Sequence, residues 1–326
     1  MWPFAFEVLM TRDLITIPTT SILPDTVLDF DVYRRYRSRK AESHILAYAK
    51  ITPVPVGARH AFIRDEINSL FVLNADIEKY RAYVERNLDR ILRQSDVSER
   101  EKARILYIVS ELCVRDLFED PRIGPIVASS RDILRHVIRH VVKSEKAFHD
   151  FFDLATDSYY LFTHALNVAI YGIALLNAMG TTRSDTLVAF GLGALLHDLG
   201  MREVPRSIIL KPEPLTSDEL EIVHEHPSRG VEIADKGGGI PGQSQVVVMQ
   251  HHERMDGAGY PWGIKAGDIH PLARVCAIVD TFDALTSPRS YKMPVSTFDA
   301  FRTMQVQDRR QLDKAVLSQF ILLMKG

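Results

Sequence analysis

Residues 191–200 read GLGALLHDLG, an apolar run from Gly191 to Leu196 that closes on His197 and Asp198. From Leu187 to Leu196 the segment is apolar on nearly all sides, as a helix buried all round must be. An Asp at the end of such a run is costly unless it is paired or bound to a cation, and the run holds no charge to answer it. The pattern recurs. Ala165–Ala178 is a second all-round apolar helix, with His164 at its start. His251 and His252 follow the apolar Val246–Met249, and Asp280 follows Val275–Val279. With His226 these make seven imidazole and carboxylate positions. Polar residues that repeatedly close apolar segments bring several core elements to one polar site.

Outward from that core the period stays helical. Ile77, Tyr80, Tyr83, Val84, Leu88, Ile91 and Leu92 recur at helical spacing. Ser98-Glu-Arg-Glu101 reads as a capping box that opens a further helix, and another helix is expected over about 129–151. Earlier in the chain Pro18, Pro24, Pro53, Pro55 and Gly57 separate short β-rich pieces at Asp13–Ile17, His44–Ile51, Ala61–Ile63 and Ser69–Leu73. The expected fold is mainly α: a small α/β module over 1–75, a helical linker over 76–130 that could carry a homodimer seam, and an all-helical domain over 131–326. Arg34, Arg35, Arg37, Arg39 and Lys40 read as a solvated face of the first module.

Bulk composition narrows the function. The chain has 326 residues, 46% of them hydrophobic, and a formal net charge of −2, so no excess of positive charge points to a nucleic-acid polymer or a membrane surface. Its longest apolar run, Ala165–Gly180, carries Asn167 and Asn177 and falls short of the roughly 20 residues of a membrane span. The N-terminus lacks the basic and cleavage regions of a signal peptide. Cys113 and Cys276 are the only cysteines, which fits a reducing cytoplasm. Imidazole and carboxylate without thiolate suit Zn, Mn, Fe or Ni. A carboxylate can bridge two ions, and Asp198 is the natural bridge. Two ions about 3.5–4 Å apart can share a hydroxide and clamp both the attacking and leaving oxygens of a phosphodiester.

The combined motif resembles the HD phosphohydrolase superfamily, and within it the HD-GYP subfamily of cyclic di-GMP phosphodiesterases. The matching residues are His197-Asp-Leu-Gly200, Pro205, Ile209-Leu-Lys-Pro212, Leu215-Thr216, His226-Pro227 and Gly230. They continue through His251-His-Glu-Arg254, Asp256-Gly-Ala-Gly-Tyr-Pro261, Arg274, Asp280, Asp283-Ala-Leu-Thr-Ser287 and Arg289-Ser-Tyr-Lys292, and cover about 130–310. The resemblance implies an all-helical HD-GYP domain and hydrolysis of cyclic di-GMP to the linear dinucleotide pGpG or onward to GMP. It also implies two divalent metal ions, iron or manganese. His164, His197, Asp198 and Asp280 would hold one ion, and Asp198, His226, His251 and His252 the other. Arg289 and Lys292 match phosphate-holding positions, Tyr260 a substrate-contacting or loop-ordering one, and Asp283 a proton acceptor or outer partner. Glu253 and Asp256 read equally well as structural. A diguanylate-cyclase partner at the Gly259-Tyr-Pro261 loop is a further implication.

Three positions depart from the subfamily pattern. Met201 stands where many members have Lys, and a thioether cannot donate to a phosphate. Tyr160 stands where members with three metals have Glu, which predicts two ions here. Pro288 stands where an acidic residue is common. Met201 opens an alternative reading, a cyclic di-GMP-binding signalling module of low activity. A mixed cyclic dinucleotide as substrate is a second alternative.

Overall fold

The computed structural model describes residues 13–37, 42–57, 61–62, 64–65, 67–119, 123–155, 161–287, 293–306 and 310–325. The chain divides into two compact units, Met1–Ile105 and Leu106–Gly326.

The first unit is built on a four-stranded antiparallel sheet with strand order β1-β4-β2-β3: β1 Leu14–Pro18, β2 Val32–Arg37, β3 Glu42–Tyr48 and β4 Ser69–Leu73. Helix α1, Ile77–Leu92, buries Tyr80, Tyr83, Val84, Leu88 and Ile91 along one stripe. The rings of Tyr80 and Tyr83 meet Phe30 edge-on. Their polar ends are satisfied, since Tyr80 donates to Ser21 Oγ at 2.9 Å and the Tyr83 hydroxyl accepts from Leu23 N at 2.8 Å.

Three expectations change here. The segment over 76–130 is not a separate linker, because α1 completes the core of the first unit and the division falls inside α2, Glu99–Glu119. The basic stretch contains a strand. Val32 and Tyr33 are buried, while Arg35, Tyr36 and Arg37 stay exposed, with Arg35 lying over the Phe71 ring at 5.4 Å. Arg39 and Lys40 lie outside the described residues. Ala61–Phe62 is not a strand but part of a helical turn, with Ala61 N donating to Gly57 O and Asp65 N to Ala61 O. Three apolar residues are too few to show a period, and the backbone here satisfies itself locally.

The second unit is helical: α3 Ile123–Val141, α4 Glu145–Ala155, α5 Leu161–Ala178, α6 Ser184–Leu196, the short α7 Arg206–Ile209, α8 Ser217–His224, α9 His226–Lys236, α10 Gly242–Gln250, α11 Pro271–Thr286, α12 Thr297–Val306 and α13 Lys314–Lys325. Every residue of α6 from Leu187 to Leu196 is buried. It is packed between α5 and α10, and a Cβ on Gly193 would sit 2.8 Å from Ser244 O, so only glycine lets α10 come so close. Among the described residues no helix is long and apolar enough to cross a membrane.

Candidate metal centre

The seven expected ligands meet where helix ends converge. His164 lies in the first turn of α5, and His197 and Asp198 leave the C-terminus of α6. His226 opens α9, His251 and His252 follow α10, and Asp280 lies within α11 rather than at its end. Their ligand atoms form two groups: Asp198, His226, His251 and His252 in one, His164, His197 and Asp280 in the other, each within 4.8 Å.

Local geometry sets the imidazole tautomers. Nδ1 of His197 lies 2.7 Å from Ala194 O, that of His226 2.7 Å from Val223 O, and that of His251 2.8 Å from Val248 O. A carbonyl only accepts, so each Nδ1 carries the proton and each Nε2 presents a lone pair. The Nε2 atoms of His226 and His251 then face each other at 3.2 Å, which is unfavourable without a cation between them. His197 Nε2 is buried and has no aligned hydrogen-bond partner. One divalent cation in each group would satisfy all three nitrogens, and the donor set is of the imidazole and carboxylate type that such ions prefer.

Asp198 divides its oxygens between the two groups. Its Oδ1 lies 3.4 Å from His226 Nε2 and 3.9 Å from His251 Nε2, and its Oδ2 lies 3.3 Å from His197 Nε2 and 3.9 Å from His164 Nε2. Burial pushes its carboxyl up, but His197, His226 and His164 together hold it well below the usual carboxylate range. Burial and the neighbouring imidazoles hold His251 and His252 well below the ordinary imidazole value. His164 goes the other way. Burial lowers it, yet its contacts to Asp280, at 3.2 Å from Nε2, and Asp283, at 2.7 Å from Nδ1, raise it to about 10.

Asp283 is 1% exposed and does not line the cleft. Its oxygens are taken by His164 Nδ1 and, at 2.9 Å, by Asn167 Nδ2, so it orients a ligand instead of facing a substrate. Tyr260 does border the cleft, stacked on His224 at 3.9 Å and on His252 at 4.6 Å between ring centroids. The two imidazoles make no ring contact with each other, which places them on opposite faces of the phenol. No face remains for a base to stack on, so Tyr260 presents its edge and hydroxyl. Its loop is anchored by Glu253, 2% exposed, which accepts from Trp262 N at 2.8 Å and Ile264 N at 3.1 Å. Asp256 accepts from Ala258 N at 3.0 Å within the turn. Both carboxylates hold the main chain of the loop. Arg289, Lys292, Tyr160 and Pro288 lie outside the described residues.

The cleft over the two groups has a volume of about 970 Å³. Met201 lines it, as do two cations to which the sequence assigned no role, Lys211 and Arg254. Lys211 is held by both oxygens of Glu219, at 2.9 and 2.6 Å, and Glu219 also closes the capping box with Thr216 at the start of α8. Arg254 donates to His251 O and Glu253 O, both at 3.1 Å. Both cations stood within motif stretches, but only the folded chain turns them toward the cleft. His224 had no signal in the sequence. Below the cleft, the turn Leu199–Glu203 packs directly on α9: a Cβ on Gly200 would lie 2.0 Å from His226 O.

Residues 169–316 match the HD domain family. A cyclic di-GMP phosphodiesterase of Pseudomonas aeruginosa is 34% identical over 209 residues, 63% of this chain and 50% of that protein. A 3′3′-cGAMP-specific phosphodiesterase of Vibrio cholerae is 36% identical over 132 residues, 40% of this chain and 25% of that protein. The chain therefore spans half or less of the length of these relatives. Among solved structures, Bd1817, an HDG"Y"P protein from Bdellovibrio bacteriovorus, shares the fold at a TM-score of 0.68 and 19% identity, covering 96% of this chain and all of that one.

Proposed function

We propose, from the match of residues 169–316 to the HD domain family, that the chain is a metal-dependent phosphodiesterase that hydrolyses cyclic di-GMP to pGpG. The observation that carries this reading is the divided carboxylate of Asp198, with one oxygen toward each of two histidine groups. His164, His197 and Asp280 would hold one ion, His226, His251 and His252 the other, and Asp198 both. Iron or manganese suits this set. Such ions supply Lewis acidity toward the phosphate and activate water at neutral pH.

The protein's own contribution is placement. Main-chain carbonyls fix the imidazoles, Asp283 fixes His164, and Glu253 holds the loop that sets Tyr260 beside His252. Lys211 and Arg254 put positive charge on the cleft wall, where the second phosphate of a cyclic dinucleotide needs neutralising. By the family resemblance alone, Arg289 and Lys292 would also hold phosphate. The reading includes a cytoplasmic setting, a regulatory or partner-binding role for the first unit, a homodimer, and a cyclase-type partner at the Tyr260 loop.

Met201 on the cleft wall supports a second reading, a cyclic di-GMP-binding signalling module with little turnover. Protein loaded anaerobically with iron or manganese separates the two when cyclic di-GMP and 3′3′-cGAMP are offered side by side and products are analysed. Release of pGpG supports the first reading. Tight binding without product supports the second. Preference for the mixed dinucleotide changes the substrate, and neither binding nor product overturns both.

A further inference from the structure

His197, His226 and His251 each place Nδ1 on a main-chain carbonyl three residues earlier, whereas His164 places it on a side-chain carboxylate. That carboxylate is itself held. Asp283 Oδ2 takes His164 Nδ1 at 2.7 Å, and its Oδ1 accepts from Asn167 Nδ2 at 2.9 Å. Asn167 Oδ1 accepts from the Tyr107 hydroxyl at 3.0 Å. Tyr107, Asn167, Asp283 and His164 are 6%, 1%, 1% and 2% exposed, and they come from α2, α5 and α11.

The order of donors and acceptors admits one direction. An amide oxygen only accepts, so the Tyr107 hydroxyl gives its proton to Asn167. That turns the Asn167 amide nitrogen toward Asp283. Asp283 then accepts on both oxygens, which is how a fully buried carboxylate stays tolerable. With the Nδ1 proton directed at Asp283, Nε2 is the His164 nitrogen left facing the ligand group, where it would offer a lone pair once its own proton is displaced. A carboxylate partner also makes an imidazole a more basic ligand than a carbonyl partner does. Tyr107 and Asn167 do not border the cleft, so they touch no substrate.

We infer that Tyr107 and Asn167 are positioning residues for one of the two ions: through Asp283 they fix His164 and set the affinity of the His164–His197–Asp280 position independently of the His226–His251–His252 position. This rests on the two-ion reading above. It goes beyond that reading by making the two positions separately adjustable from side chains outside the cleft.

The test uses the full chain, stripped of metal by a chelator and titrated with Mn²⁺. Binding is followed by calorimetry and by electron paramagnetic resonance. The wild type should fill two positions and end in a spin-coupled pair. In Tyr107→Phe and Asn167→Leu one binding step should weaken by about 10- to 100-fold, the range for lost outer partners of a metal ligand. The other step should stay within twofold, and the coupled signal should give way to that of an isolated ion. Asn167→Leu should exceed Tyr107→Phe, because it removes a donor to Asp283 directly. The retained step reports a folded protein, so misfolding cannot imitate the result. Two unchanged steps, or two steps weakened alike, overturn the inference. A wild type that binds no Mn²⁺ overturns the two-ion reading and the inference with it.

Discussion

Replacing Gly200 by alanine should separate the two halves of the metal centre. The added Cβ would lie 2.0 Å from His226 O and 2.8 Å from both His226 C and Gly230 N, all main-chain atoms that cannot swing aside. Ordinary contact begins near 3.4 Å, so either the Leu199–Glu203 turn or the start of α9 must retreat by about 1.4 Å. Asp198 sits at one side of that seam and His226 at the other, 3.4 Å apart between Oδ1 and Nε2. A shift of that size is a large fraction of the gap an ion has to bridge. Overpacking costs about 1–3 kcal/mol, and a misplacement near 1 Å costs on the order of 100-fold in rate. Mn²⁺ content by elemental analysis should fall toward one ion per chain, with a lower midpoint in a denaturant melt. Gly230→Ala tests the same seam more gently, since its Cβ would meet its nearest neighbours at 3.3 Å, and it should cost under about 1 kcal/mol. A Gly200→Ala protein with both ions and an unchanged midpoint would refute the argument that this backbone contact sets the spacing of the ligands.

Four further outcomes follow from the site. Glu253→Gln gives one of the two amides, Trp262 N or Ile264 N, a donor instead of an acceptor, and should cost about 1–3 kcal/mol in a denaturant melt; an unaltered midpoint counts against the anchor. Mn²⁺ affinity at the His164 position should rise from pH 7 toward 10, because His164 must shed a proton held up to about 10. His251 and His252, already neutral at pH 7, should leave the other position nearly flat, and calorimetry at several pH values reads both slopes. In the metal-free chain the raised value has the matching sign: the stability His164 contributes is fully present below the free imidazole value and is lost as pH climbs through about 10, which thermal melts will show. On the proposed phosphodiesterase reading, Met201→Lys should raise turnover of cyclic di-GMP by about tenfold or more, since it places a proton donor on the cleft wall, and equal or lower turnover would show that Met201 does not limit the rate.

The cluster of the candidate metal centre was legible in the chain because burial and charge conflict there. An Asp after ten buried residues of α6, or paired histidines after α10, has no stable reading without a partner, and the partner must be shared by the elements that end together. Asp280 shows the limit of that logic: its helix runs on to Thr286, so the carboxylate interrupts a buried face and does not end one. The outer partners were not legible. Asn167 on an apolar helix looks like any tolerated amide until Tyr107, 60 positions earlier, is seen to bond it. His224 and Lys211 depend on the path of the chain between α7 and α9, which no local period encodes. In the first unit the run of arginines hid β2, because a strand whose inward residues are only Val32 and Tyr33 shows too short an alternation to read.

The source of each Nδ1 bond also decides how the ligands can change over generations. His197, His226 and His251 lean on Ala194, Val223 and Val248 through main-chain oxygens, which every amino acid possesses. Substitution at those three positions alters packing but leaves the tautomer as it is. His164 leans on Asp283, so its chemistry is inherited through a residue that can mutate. On the two-ion reading, selection could therefore retune one half of the centre by drift at Asp283, Asn167 or Tyr107 while all seven candidate ligands stay in place. Sequence comparison confined to the ligands would miss every such change.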